Sequence, residues 1–149
     1  MSPEDQIIEL RNQFNVHKHR KYDFSPPLDI YRYIIFKVLG NTTDQTVATT
    51  FGGDLECPIN GTIQEIGAWV DTAGTTGSAT IDVNKNGTTL MGTTKITIET
   101  TEKSSRTAAT QPVLTVFNIL KGDIITVDID AIQTTPAKGL SIYLKILEI

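Results

Sequence analysis

The chain has 149 residues, 39% hydrophobic and 20% charged, which suits one domain and lies inside the globular range rather than the disordered one. A formal net charge of −4 argues against a general nucleic-acid binder, so any basic cluster is a local feature. A single cysteine, Cys57, allows no internal disulfide, and neither a signal-peptide start nor an apolar run near the ~20 residues of a membrane span occurs; folding in a reducing cytoplasm is the expectation.

The first thirty residues differ in kind from the rest. Ser2 suits an N-cap, Pro3 the first helical position, and Glu4 and Asp5 the positive end of a helix. Ile7, Leu10 and Phe14 then recur at helical spacing, with Ile8 beside them. This predicts one short amphipathic helix of about three turns, too short to stand alone in water, whose apolar face must rest on something. "NVHKHRKYDFSPP" follows, holding His17, Lys18, His19, Arg20 and Lys21 and then Ser25, Pro26 and Pro27, which favour an extended path. Residues 1–29 therefore read as an N-terminal anchoring arm, and residues 30–149 as the folded domain.

From Tyr31 the apolar period changes to two. "YRYIIFKVL" is apolar on both faces, which predicts a strand covered on both sides. "IGAWVDT" places Ile66, Ala68 and Val70 on one face and Trp69 on the other. "SATIDVN" turns Ile81 and Val83 inward, "KITIE" turns Ile96 and Ile98 inward, and "PVLTVFNI" reads as a buried run. In "GDIITVDIDAI" Ile125, Val127 and Ile129 share a face opposite Thr126, Asp128 and Asp130; "GLSIYLKILEI" points Leu140, Ile142, Leu144 and Ile146 inward. Turn signals separate the runs: "FGGD", "TAGTTG", "NKNG", "LKGD" and "TTPAKG". Abundant threonine fits half-exposed strand surfaces. The prediction is an all-β fold, an antiparallel jelly-roll sandwich of about eight strands preceded by the arm and its short helix. "TTEKSSRTAATQP" has the length and polarity of a connection between two sheets, and the absence of repeats and heptads argues against a long fibrous shaft.

Chemistry-bearing motifs are few. "DVNKNG" matches the opening of a calcium-binding loop through Asp82, Asn84, Asn86 and Gly87, but the twelfth position, which needs a bidentate glutamate, is Thr93. Asn86-Gly87 is instead a strong type I′ hairpin signal. Catalysis has little to stand on: both histidines lie in the arm, Cys57 precedes Pro58 with no visible base, and Asp128 and Asp130 look like the solvent side of a strand. The chain therefore reads as a non-enzyme without a cofactor. Trp69 is the sole tryptophan, and its outward phase makes it a candidate contact for a sugar or a neighbouring subunit; no second aromatic is visible on its face.

The stretch "GTIQEIGAWVDTAGTTGSATIDVNKNGTTL", with "LKGDIITVDIDAI" and "AKGLSIYLKI", resembles the jelly-roll domains of tailed-bacteriophage virion proteins, which occur in head-decoration proteins, head fibres and tail-fibre or baseplate modules. The resemblance spans roughly residues 61–146 and implies a virion structural protein, commonly a homotrimer. In that family, trimeric fibres and spikes carry His-x-His motifs whose six imidazoles hold one iron on the threefold axis, a spacing that His17 and His19 match. Three copies of Lys18, Arg20 and Lys21 would crowd such an axis with positive charge, so the basic segment reads better as an arm for an acidic neighbouring surface. The arm's partner-binding residues are then Ile7, Leu10, Phe14, His17, Lys18, His19, Arg20 and Lys21. The expected function is capsid decoration or a head fibre, with the arm on the major capsid protein or another virion protein, without nucleic acid or membrane. The alternative is a tail-fibre or baseplate adhesin whose sandwich binds host-surface carbohydrate.

Overall fold

Among the described residues, alternating side chains give nine strands: β1 (Tyr31–Asp44), β2 (Leu55–Glu56), β3 (Gly61–Trp69), β4 (Ala79–Lys85), β5 (Thr88–Thr89), β6 (Ile96–Ile98), β7 (Asn118–Ile119), β8 (Ile124–Ala131) and β9 (Lys138–Glu148). They are seen in a computed structural model that describes residues 2–6, 28–49 and 54–149. The antiparallel pairings nest: β1 with β9, β2 with β8, β3 with β7 and β4 with β6. β9 also pairs with β3, and β8 with β4. One sheet therefore has the order β1-β9-β3-β7, and the other runs β2-β8-β4 with β5 and β6 both on β4. Successive strands that pair from the outside inward and alternate between two sheets make a jelly roll. The fold is the one the alternation predicts, with β5 added as the return limb of a hairpin.

The space between the sheets is filled by aliphatic side chains. Ile63, Ile81, Val83, Ile96, Ile98, Ile125, Val127, Leu140, Ile142, Leu144 and Ile146 are all fully buried, and they come from both sheets. Each such side chain stabilises the fold by roughly 1.5–3 kcal/mol relative to exposure. The inward residues of β3, β4, β6, β8 and β9 are those that the period of two selected.

One strand reading needs correction. "PVLTVFNI" is not a buried run: Val113 and Phe117 are half exposed, only Asn118–Ile119 is strand, and Ile119 alone is fully buried. The segment runs along the flank of the sandwich, where apolar residues cover a rim and do not fill a core. β1 is not covered on both sides by any described residue. It is the edge strand of its sheet, and Tyr31, Tyr33 and Ile35 remain 46%, 53% and 60% exposed on its outer face. The polar stretch after β6 does join one sheet to the other, through a single 3-10 turn at Ser105–Thr107.

At the N-terminus, residues 3–6 are helical and Ser2 is their cap. Ser2 Oγ accepts from the Asp5 N–H (3.2 Å) while the Ser2 N–H donates to Asp5 Oδ2 (3.2 Å), a reciprocal capping arrangement. Ser2 Oγ also donates to Asp5 Oδ2 (2.7 Å), and this bond, with that from the Ser2 N–H, holds the Asp5 carboxyl below its ordinary pKa. The arm residues Ile7, Leu10, Phe14, His17, Lys18, His19, Arg20 and Lys21 lie outside the described residues.

The β4–β5 hairpin turns through Asn86 (φ 50°) and Gly87 (φ 79°), the positive pair that a type I′ turn demands. Asn86 is further fixed to the start of β8: its Nδ2 donates to Asp123 Oδ1 (2.7 Å) and its Oδ1 accepts from the Ile124 N–H (2.8 Å). A Cβ at Gly87 would meet no atom within 4 Å, so replacing it tests backbone strain alone. Gly87→Ala should lower unfolding free energy by about 1 kcal/mol. Urea titration should show a lower midpoint at unchanged slope.

Candidate functional site

The outer face of the β1-β9-β3 layer can be read off its registers. Tyr33, Lys145 and Glu65 form one row across the three strands; Ile35, Tyr143 and Gly67 form the next; Lys37, Ser141 and Trp69 form a third. Large rings thus stand beside glycine and serine. At Gly67 a Cβ would come within 2.5 Å of the Tyr143 ring atoms, so only glycine leaves room for that ring to lie against β3. Tyr143 is consequently 7% exposed although its side chain is on the outer face.

Three contacts fix the ring. Tyr143 Oη donates to Glu65 Oε1 (2.7 Å), Arg106 Nε donates to Tyr143 Oη (3.4 Å), and the Arg106 guanidinium carbon lies 5.3 Å from the ring centroid. Burial raises the Tyr143 pKa above its ordinary value, the Arg106 hydrogen bond opposes that rise and the Glu65 contact adds to it, so the phenol stays a donor at neutral pH. Arg106 and Glu65 approach to 3.8 Å, but both are well exposed, and the pair adds little stability by itself. Trp69 sits beside Tyr143, with ring centroids 6.4 Å apart and planes tilted by 31°.

Arg106 arrives from the connection between the sheets. Ser104 caps the 3-10 turn, accepting from the Arg106 N–H (3.2 Å), and Ser105 Oγ accepts from the Ala68 N–H of β3 (3.0 Å). Gln111 Nε2 donates to the carbonyls of Ser105 (3.0 Å) and Ala108 (2.8 Å), and the Val70 N–H donates to the Lys103 carbonyl (2.9 Å). The result is a shallow cleft of ≈ 370 Å³ lined by Tyr33, Ile35, Trp69, Ser104, Arg106 and Tyr143. It offers aromatic surface ringed by hydrogen-bonding groups.

Of the residues singled out in the sequence, Trp69 is the one that the structure places in this cleft. Tyr33 and Tyr143 are the further aromatics the sequence reading lacked. Tyr143 occupies an outward position of "GLSIYLKILEI" and could have been found by phase, but its adjacency to Trp69 depends on the β3–β9 register. Arg106, from a loop, left no periodic signal.

The outer face of the other sheet is differently built. Asp82 accepts from Lys95 Nζ (2.6 Å) and Thr89 Oγ1 (2.6 Å), and Asp128 accepts from Asn84 Nδ2 (2.8 Å). The three side chains that matched a calcium loop are thus committed elsewhere: Asp82 to Lys95 and Thr89, Asn84 to Asp128, and Asn86 to the start of β8. Among the described residues no group of three or more His, Cys, Asp or Glu side chains is arranged to hold a metal ion. Burial raises the Asp130 pKa, with further upward pushes from Asp82 and Asp128. Cys57 is fully buried; its Sγ donates to the Ile59 carbonyl (3.2 Å), and burial raises its pKa, which makes it a poor nucleophile.

No family model matches this chain, and no curated protein or solved structure matches it.

The packing of Tyr143 on Gly67 can be tested directly. Gly67→Ala should displace the ring, break its bond to Glu65 and destabilise the fold by about 1–3 kcal/mol, with a change in Trp69 emission. Combined with Tyr143→Ala, the glycine replacement should cost much less, a coupling that a double-mutant cycle on unfolding free energies would measure.

Asp130 gives a pH prediction. Its folded pKa lies above its unfolded value, so between the two the folded state binds more protons and stability falls as pH rises. Asp130→Asn should therefore stabilise the protein at pH 7, by under about 1 kcal/mol for so exposed a group, and the gain should vanish once acidification protonates Asp130 in both states. Thermal midpoints of the two proteins from pH 7 to pH 3 would check this.

Proposed function

We propose that this chain is a structural protein of a tailed-bacteriophage virion, a capsid decoration or head-fibre subunit. It is anchored by residues 1–29 to the major capsid protein or another virion protein and stabilises the shell. The observation that carries this reading is a jelly roll whose interior is filled with aliphatic side chains. Jelly rolls serve as capsid and lectin domains and as cupins. A filled interior leaves the work of this one to its outer surfaces and its arm, as in a structural subunit. The resemblance to phage virion jelly rolls supports the same assignment. The half-exposed Val113, Phe117 and Leu120 of the β7 flank give it apolar surface to share with neighbouring copies in a homotrimer.

The arm would act by charge. His17, Lys18, His19, Arg20 and Lys21 present a basic segment to an acidic surface, and the apolar side chains Ile7, Leu10 and Phe14 would supply a hydrophobic contact. Purified virions should contain hundreds of copies; a few dozen or fewer would assign the chain to the tail. Deleting residues 1–29 should leave a folded sandwich that no longer attaches. Replacing Lys18, Arg20 and Lys21 by alanine should weaken attachment more than replacing His17 and His19, and attachment should fall as salt rises, because exposed charges are screened over about 8 Å at physiological ionic strength. A particle that sheds the protein on adding a chelator at neutral pH would instead assign the histidines to a metal.

A further inference from the structure

We propose that the cleft between Trp69, Tyr143 and Tyr33 binds a neutral saccharide. This goes beyond the virion assignment and does not depend on where in a particle the chain sits. A pyranose has one face of C–H groups and a rim of hydroxyls, so its receptor needs aromatic surface with hydrogen-bonding groups at the edge. The cleft supplies both. The aromatic surface is that of the partly exposed Trp69 and of Tyr33, 53% exposed on the edge strand, while Tyr143, 7% exposed beneath Arg106, forms the floor 6.4 Å from the Trp69 ring. At the rim are Ser104 and the guanidinium of Arg106.

The rim is held before any ligand arrives. Gly67 lets the Tyr143 ring lie on the sheet, Glu65 accepts a hydrogen bond from its hydroxyl, and Arg106 stacks over the ring from a loop that Ser105 ties to β3. Fixed groups lose little freedom on binding, which favours affinity from a small contact. The choice of a neutral ligand follows from charge. Lys37 is paired with Asp71 at 2.6 Å and Lys145 lies over the Tyr31 ring, so the one cation that lines the cleft is Arg106, which has Glu65 beside it at 3.8 Å.

The surface is also apolar enough at Ile35 to take a second copy of the chain, and the experiment separates the two occupants. Saturation-transfer NMR on the full-length protein, against a panel of neutral hexose and N-acetylhexosamine oligosaccharides and acidic counterparts, is the primary test. At least one neutral oligosaccharide should show transfer concentrated on its C–H face, and its titration should change Trp69 emission. Trp69→Ala should raise the dissociation constant at least about tenfold in a protein that still folds, and Tyr33→Ala, at an exposed edge position, should weaken binding without affecting folding. Raising sodium chloride from about 0.1 M to 0.5 M should change affinity less than about twofold, since no net charge is engaged. The proposal is overturned if no neutral saccharide gives transfer at millimolar concentration, if only acidic ones do, or if Trp69→Ala binds as well as the original. It is overturned equally if the protein is an oligomer that Ile35→Ser dissociates, because the face then belongs to a neighbouring copy. Virion copy number is independent of all these outcomes, so failure here leaves the structural assignment where it stood.

Discussion

The fold depends on β9 being the middle strand of a pairing that joins the two ends of the domain. It hydrogen-bonds β1 on one side and β3 on the other, and its inward Leu140, Ile142, Leu144 and Ile146 are fully buried. The ion pair between Arg32 and Glu148 spans 116 positions of sequence. Closing so long a loop costs about 4 kcal/mol in chain entropy, which burying four aliphatic side chains at roughly 1.5–3 kcal/mol each more than offsets. The consequence is cooperativity. β1 and β3 touch only through β9, and β2 reaches β4 only through β8, so neither sheet closes until the C-terminal strands are in place. Such non-local pairing belongs with folding in milliseconds to seconds.

The same dependence explains what could be read along the chain. Alternation reports which side of a strand faces the core, and it selected the inward residues of β3, β4, β6, β8 and β9 correctly. It does not report which strands are neighbours. Trp69 could be assigned to an outer face, but Tyr143 and Tyr33 join it through two registers, and Arg106 through a loop anchored by Ser105. "PVLTVFNI" fails for another reason: an apolar composition does not separate core from rim, and a flank segment with half-exposed Val113 and Phe117 reads like a buried strand. The two-sided run in β1 was legible as a pattern, while its position at a sheet edge belongs to the strand order. The turn at Asn86-Gly87 was fully legible, because positive φ at two successive residues is a local requirement.

The two outer faces of the sandwich show how differently one architecture can treat its surface. On the β2-β8-β4 sheet, Lys95 bridges Asp82, Thr89 and the Met91 carbonyl, and Asn84 reaches Asp128, so polar side chains are spent on one another. That network fastens the β4–β5 hairpin to the segment leading into β6, which is a structural task. On the β1-β9-β3 sheet Tyr143 is buried, Trp69 is partly covered, and Tyr33 and Ile35 present surface that the described chain leaves unburied.

Gly67 marks the difference between those faces. A larger residue there would lift Tyr143 off the sheet, remove its hydroxyl from Glu65 and deprive Arg106 of the ring it stacks on. A glycine inside a strand gives up backbone entropy and side-chain packing, and here it returns a close approach between a ring and the sheet. Stability alone would be served as well by an aliphatic pair at these two positions. The phenol is instead held between a tryptophan and an arginine, the arrangement that the proposed saccharide site requires of this face.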